Sequence, residues 1–349
     1  MNKPTGFILV TTLWVLAMIT LAASFFSLWT QRTLTIAQSR LADIQGEIDM
    51  QSTQANLIYL LMTQPFSFGG VTVPDELDTT DSSKKVYDET LVAYGTEIAL
   101  DDRPYFGHGK AFFALQDEGG LININIETEP TLTRLLGLFG VEEKLRAQLI
   151  AKLKDYIDLD DLHRINGAES YHYERRQMPP PSNHYLFHQM ETAQILDWTE
   201  QTGLWKNDQF RQLTHLYFAA RPNINTAPSL VLQAAYHLSA DNAEHIIKMR
   251  ERLPFSTVKG VFQATGVYLN IDPQDENFFP SKYLRLTLWY AGARRMRQFH
   301  LELMPNVEER APWQIESSLE FELLPIYTER TAHHAQTTLF TPTLSTKTR

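Results

Sequence analysis

The chain has 349 residues, 43% of them hydrophobic and 21% charged, with a formal net charge of −10 and no cysteine. The acidic balance excludes a broad nucleic-acid surface. The missing thiols exclude disulfides, thiolate metal sites and cysteine nucleophiles, and leave the redox compartment open.

Residues 1–6 ("MNKPTG") precede an uncharged run at 7–29, and the first side-chain charge after Lys3 is Arg32. A secretory signal has an apolar core of roughly 7–15 residues, whereas a bilayer-spanning helix needs about 20. The small residues Ala22, Ala23 and Ser24 keep a cleaved signal open as the alternative. The helical pattern nevertheless continues past them. Leu34, Ala37, Leu41, Ile44 and Ile48 form a seam at three- and four-residue spacing, extended by Ala55, Ile58 and Met62. Arg32, Arg40, Asp43 and Glu47 take the opposite face. No proline interrupts 7–63 and Gly46 is its one glycine, so the pattern predicts a rod on the order of 80 Å. Its first half suits lipid and its second half suits protein. Sparse positive charge (Lys3 before the run, Arg32 and Arg40 after it) gives no guidance on orientation.

Residues 63–109 are rich in Gly, Pro, Asp, Ser and Thr and read as loop with one short strand. "KAFFALQDEGGLININIE" reads as a hairpin turning at Gly119 and Gly120 with positive φ. From about Thr128 the period becomes helical, with Leu145, Leu149, Leu153 and Tyr156 on one face. "SKYLRLTLWYAGARRMRQFHLELM" and "WQIESSLEFELLPIY" alternate as half-buried antiparallel strands do. The threonine-rich end reads as disordered. The expected fold class is α+β, with a helical block inserted into a sheet. The expected units are 1–6, the span 7–29, 30–127, the all-α block 128–272, the second strand group 273–328, and a tail at 329–349.

One internal echo stands out. "NINIETEPTLTRLLGLFG" and "NINTAPSLVLQAAYHL" share an Asn-Ile-Asn, a Pro and a leucine-rich helix. The second copy continues in paired short helices, the rhythm of helix-hairpin-helix or SAM-like domains. A DNA-binding hairpin uses backbone amides of a Gly-x-Gly turn. The turn here, "HLSADNAEH", lacks those glycines and carries Asp241 and Glu244, so nucleic acid is not the expected partner.

No Gly-x-Ser-x-Gly elbow, His-Glu-x-x-His or phosphate-binding glycine loop is present, and no enzymatic activity is expected. The densest acidic cluster is Asp155, Asp158, Asp160, Asp161 and Glu169, hard oxygen ligands that suit Ca²⁺ better than Zn²⁺. It is no EF-hand, because Leu162 and His163 stand where a ligand and a glycine are required. A solvated helix end is the alternative. Asp117 and Glu118 are weaker candidates, with Glu118 expected to face water. His163, His172, His184 and His188 match no standard zinc spacing.

"DEGGLININ", "LKDYIDLDD", "GAESYHY", "PPPSNHYLF", "RPNINTAP" and "MRERLPFSTVKGV", in this order behind a short leader ending in Gly6, resemble the K-type minor pseudopilin of the type II secretion system, general secretion pathway protein K. The resemblance weakens over 63–105 and after about 325. It implies a pilin-like long helix and sheet, with a calcium-binding helical domain held by the 155–169 carboxylates. It implies cleavage after Gly6 by a prepilin peptidase, with methylation of Phe7. It also implies an inner-membrane anchor, a periplasmic head, and I- and J-type pseudopilins as partners. Most pilins carry glutamate at the fifth mature position; here it is Thr11, a departure shared by K-type proteins. That glutamate offsets the α-amino charge of a neighbouring subunit, so a subunit lacking it suits the first place in a filament, at its tip. The alternative reading is a minor pilin of a type IV pilus or DNA-uptake machine.

Overall fold

The computed structural model describes residues 7–74, 95–217, 221–272, 275–304, 311–329, 335 and 337–340. Helix α1 (Phe7–Thr63) is continuous over 57 residues, about 85 Å at the α-helical rise. Its first half is exposed from Leu9 to Trp29. The hydroxyls of Thr20 and Thr30 donate to carbonyls one turn back at 2.9 Å, which suits a helix with no water to bond. Burial begins at Gly46, and Met50, Leu57, Leu60 and Leu61 enter the core.

Two short strands, β1 (Phe66–Ser67) and β2 (Gly70–Val71), form a small hairpin after the rod. Strands β3 (Asp101–Phe106) and β4 (Ala111–Asp117) follow. The 63–109 stretch thus holds more strand than its turn-rich composition indicates, although 75–94 lies outside the described residues.

The expected hairpin at 110–127 does not form. Residues 118–120 make a 3₁₀ turn, and neither Gly119 nor Gly120 has positive φ. The glycines are needed for closeness instead. A Cβ on Gly119 would lie 2.8 Å from Cβ of Ser281, and one on Gly120 would strike Thr226. Strand β5 (Ile122–Asn123) pairs in parallel with a distant two-residue strand, so the helical block is not strictly all-α.

That block comprises α2 (Glu129–Leu138), α3 (Glu143–Ile157), α4 (Ser170–Arg175), α5 (Thr202–Trp205), α6 (Gln209–Leu213), β6 (Thr214–His215, the partner of β5), α7 (Ser229–Tyr236), α8 (Ala240–Arg250) and α9 (Val258–Thr265). Its own apolar core includes Leu135, Leu153, Tyr173, Trp198, Leu232 and Ile246.

The chain then returns to the sheet. Strands β7 (Tyr283–Tyr290), β8 (Arg295–Leu303) and β9 (Trp313–Glu322) complete five antiparallel strands in the order β3-β4-β7-β8-β9, followed by α10 (Pro325–Glu329). Adjacent strands β4 and β7 are therefore separated in sequence by the whole helical block. The α+β class read from the sequence is borne out.

Strands β4, β7 and β8 are buried on both faces, whereas β9 is half-buried on one face and exposed on the other. Leu284, Leu286 and Leu288 face α1 with Phe113, Leu115 and Phe299. On β7 and β8 the alternating polar positions do not meet water as half-buried strands would but meet the inserted block, whereas on β9 Gln314, Glu316, Ser318 and Glu320 are exposed as expected. Gln298 accepts from Arg211 at 2.7 Å, and Arg285 donates to the Gln212 carbonyl at 3.0 Å. Trp289 and Tyr327 of α10 close the remaining end. Within the stretch expected to be disordered, Ala335 bridges Tyr105 and the Phe340 ring packs on Phe113.

Candidate functional site

The acidic segment leaves the end of α3 and winds to the start of α4. Asp155 is fully buried and accepts from the Arg164 guanidinium at 2.8 Å and from its amide at 3.1 Å. Arg164 also pairs with Asp158. Asn166 takes φ 64°, and a Cβ on the next residue, Gly167, would run into the Asp155 carboxylate. Asp160 accepts the Leu162 amide at 2.8 Å, and Asp161 accepts from the Asn183 side chain at 3.3 Å.

Glu169 is different. It is 5% exposed, yet neither carboxylate oxygen has a hydrogen-bond donor, and Asp158 Oδ1 and Asn183 Oδ1 are likewise buried without a partner. Burial and then the charges of Asp155, Asp158, Asp161 and Asp160 push the Glu169 carboxyl up to about 7. Of the five acids only Asp155 and Asp158 reach the Arg164 guanidinium, and the most crowded of them, Glu169, resists ionisation. Among the described residues, no group of three or more acids and histidines stands ready to hold a metal. The donor chemistry still fits a hard cation, because orphaned buried carboxylate and amide oxygens are what such an ion takes.

The four histidines do not converge. His172 Nδ1 accepts the Glu169 amide at 3.1 Å, His188 Nδ1 accepts the Met190 amide at 3.0 Å, and the His184 ring approaches the Tyr185 carbonyl. His163 lies beside His172, with ring centroids 5.4 Å apart.

Asp117 and Glu118 sit where the block leaves the sheet, and both are buried. Asp117 accepts from Gly119, Ser281, Asn223 and Thr226 at 2.7–3.0 Å. Glu118 does not face water: its carboxylate meets His300, with His215 and Arg285 nearby. Burial opposes its ionisation, but the contact with His300, and then His215 and the Arg285 guanidinium, outweigh it and hold the carboxyl below its usual range.

The internal echo is real in space. Asn123 Oδ1 accepts the Asn125 amide at 3.0 Å, and Asn223 Oδ1 accepts the Asn225 amide at 2.9 Å. Asn125 then clamps Leu186 through both its amide and its carbonyl, while Asn225 clamps Phe255 and the Phe278 carbonyl. The paired helices α7 and α8 turn at His237, with Ser239 capping α8 by accepting the Asn242 amide at 3.2 Å. Asp241 and Glu244 are exposed beside that turn, where a phosphate binder would need donors.

Phe7 opens α1 and Thr11 lies in its exposed half, whereas Gly6 falls outside the described residues. Leu34, Leu41, Ile44 and Ile48 remain exposed along the rod. Reading the sequence missed Arg164, Asn183 and His300. Arg164 and Asn183 both lie within or beside segments already singled out, whereas His300 has no local signal.

Two family models match over residues 114–203 and 222–276, from the end of β4 through the inserted block, both described as "Type II secretion system (T2SS), protein K". They bear out the resemblance to a K-type minor pseudopilin. Among solved structures, a similar chain comes from one described as "The Crystal Structure of the GspK-GspI-GspJ complex from enterotoxigenic Escherichia coli Type 2 Secretion System". It is 15% identical with a TM-score of 0.45, covering 63% of this chain and 84% of that one. No curated protein matches.

Proposed function

We propose, from a chain whose inserted block matches both protein K models of the type II secretion system, that it is the minor pseudopilin at the tip of the secretion filament. There it starts assembly and caps a fibre that drives proteins across the outer membrane. One observation carries this reading. The chain leaves the sheet between neighbouring strands β4 and β7 and lays a whole second domain on the face away from α1. Such bulk collides with subunits stacked above it in a helical fibre, and only an end is free of them.

The remaining features support the same role. The uncharged, unburied stretch of α1 suits an inner-membrane anchor, with the head in the periplasm. Cleavage after Gly6 and methylation of Phe7 by a prepilin peptidase would expose Thr11 at the fifth position, where no acid can offset the amino terminus of another subunit. The seam at Leu34, Leu41, Ile44 and Ile48 offers lateral packing to I- and J-type partners. The work is assembly rather than catalysis.

Ca²⁺, when bound, would supply the positive charge that the acidic segment lacks and stiffen the inserted domain. Glu169, Asp158 and Asp161 would hold it with Asp160, and Asn183 would add a neutral oxygen. Asp155 is committed to Arg164 and would brace the loop from behind.

The test is co-purification of the full chain in detergent with I- and J-type pseudopilins. A stable complex is expected, and failure of all three to associate would count against the assignment. Filter binding to DNA at low salt should show no steep salt slope, which a DNA-uptake pilin would display.

A further inference from the structure

The membrane-facing end of the head is cationic, although the chain carries a net charge of −10. Helix α1 holds Arg32 and Arg40 and no acid before Asp43. The turn from β7 to β8 descends beside this part of the rod. Gly292, Arg294 and Arg295 form one wall of a cleft of about 550 Å³ whose other wall is Ser39, Asp43 and Glu47.

The turn is pinned. Gly292 takes φ 86°, the Ala291 amide donates to the Lys110 carbonyl at 3.0 Å, and the Leu323 amide donates to the Arg294 carbonyl at 2.8 Å. Three of the nearby acids are already engaged, and a fourth, Glu322, stands exposed opposite Arg295 in the β8–β9 register. Asp43 meets the Tyr290 hydroxyl at 3.3 Å, Glu47 pairs with Arg297 at 3.3 Å, and Glu320 pairs with Arg295 at 3.4 Å. Arg295 is still 64% exposed at its side chain. Arg32, Arg40 and Arg294 are exposed and make no ion pair among the described residues.

Height decides what they can reach. Ser39 stands ten residues beyond Trp29, the last aromatic of the uncharged run, or about 15 Å along the axis. A head-group layer is roughly 5–7 Å deep, and screened charge acts over a further ~8 Å. The turn therefore hangs at the edge of the head groups, with arginine side chains long enough to close the gap.

We infer that Arg32, Arg40, Arg294 and Arg295 seat the head on anionic phospholipid head groups of the bilayer that holds α1. This rests on the membrane-anchored reading above and names the surface the head contacts while it resides there. Lateral charge contact would fix the tilt of a rod otherwise free to lean.

The absence of cysteine makes the test clean. The full chain carrying Ala293→Cys or Leu13→Cys is spin-labelled and placed in nanodiscs of phosphatidylcholine alone or enriched in phosphatidylglycerol. Relaxation by nickel chelated to lipid head groups is then measured. The inference expects relaxation of the Ala293 label to be several-fold stronger in the anionic discs, and this excess to vanish in Arg294→Glu/Arg295→Glu. A Leu13 label within hydrocarbon, beside an Ala293 label that senses both lipids equally or neither, overturns the inference and leaves the anchor standing. A Leu13 label in water overturns the anchor and this inference with it.

Discussion

Asp117 and Ser281 lie 164 residues apart in sequence, yet the Ser281 hydroxyl donates to the Asp117 carboxylate at 2.7 Å and its amide donates at 3.0 Å. The pair closes the neck through which the chain leaves the sheet and returns to it. Asn223 and Thr226 of the inserted block donate to the same carboxylate, so one side chain joins both strands to the domain between them.

Asp117→Ala should therefore cost about 3–5 kcal/mol, because it strands several buried donors at once. Thermal unfolding of the full chain in detergent would show it as a lowered or split transition. An unchanged melt would mean the neck is held by other contacts.

The twin asparagines make a graded prediction. Asn125 makes two hydrogen bonds to Leu186, whereas Asn225 makes three, to Phe255 and Phe278. Asn125→Ala should cost about 2 kcal/mol and Asn225→Ala about 3 kcal/mol, read from shifts in the urea midpoint.

Gly46 sets how closely the head rides on the rod. A Cβ there would lie 2.5 Å from the Tyr290 ring, so Gly46→Ala should cost about 1–3 kcal/mol through overpacking. Adding Tyr290→Ala should recover part of that loss, and a double-mutant cycle in the same melting assay would reveal the coupling.

Glu169 gives the pH dependence. Its carboxyl stands at about 7 in the fold against 4.5 ordinarily, so the folded state holds this proton more tightly than the unfolded one. Without metal, its contribution to stability is present below pH 4.5 and is lost as pH rises through 7. A divalent cation needs the ionised form, so Ca²⁺ affinity should rise up to roughly tenfold per pH unit below 7 and level off above it. Calorimetric titration of the full chain would follow this, and Glu169→Gln should flatten the profile and weaken binding. Elemental analysis of the purified protein tests the ion itself.

The rod was legible because its signal is local: an uncharged run, then a three-four seam with no proline. The last strands were legible from alternation, and β9 does turn its polar face to solvent, but the destination of the polar face of β7 and β8 was not. Arg285 and Gln298 look like solvent positions until a domain encoded elsewhere covers them. The false hairpin at 110–127 has the same origin. Two glycines usually mark positive φ, but here the missing Cβ makes room for Thr226 and Ser281, both far along the chain. Glu118 was misread because its partner, His300, is 182 residues away. In the acidic segment the carboxylates were visible, whereas Arg164's commitment to Asp155 and the orphaned oxygens of Glu169 emerge only once the loop is folded.

Electron cryomicroscopy of an assembled secretion filament, with a bulky label on the inserted block, would show where in the fibre this chain sits. With this chain at the tip, a single label lies at one end of each filament, above the I- and J-type subunits. Labels recurring along the shaft, with copies of this chain stacked on either side, would contradict that placement.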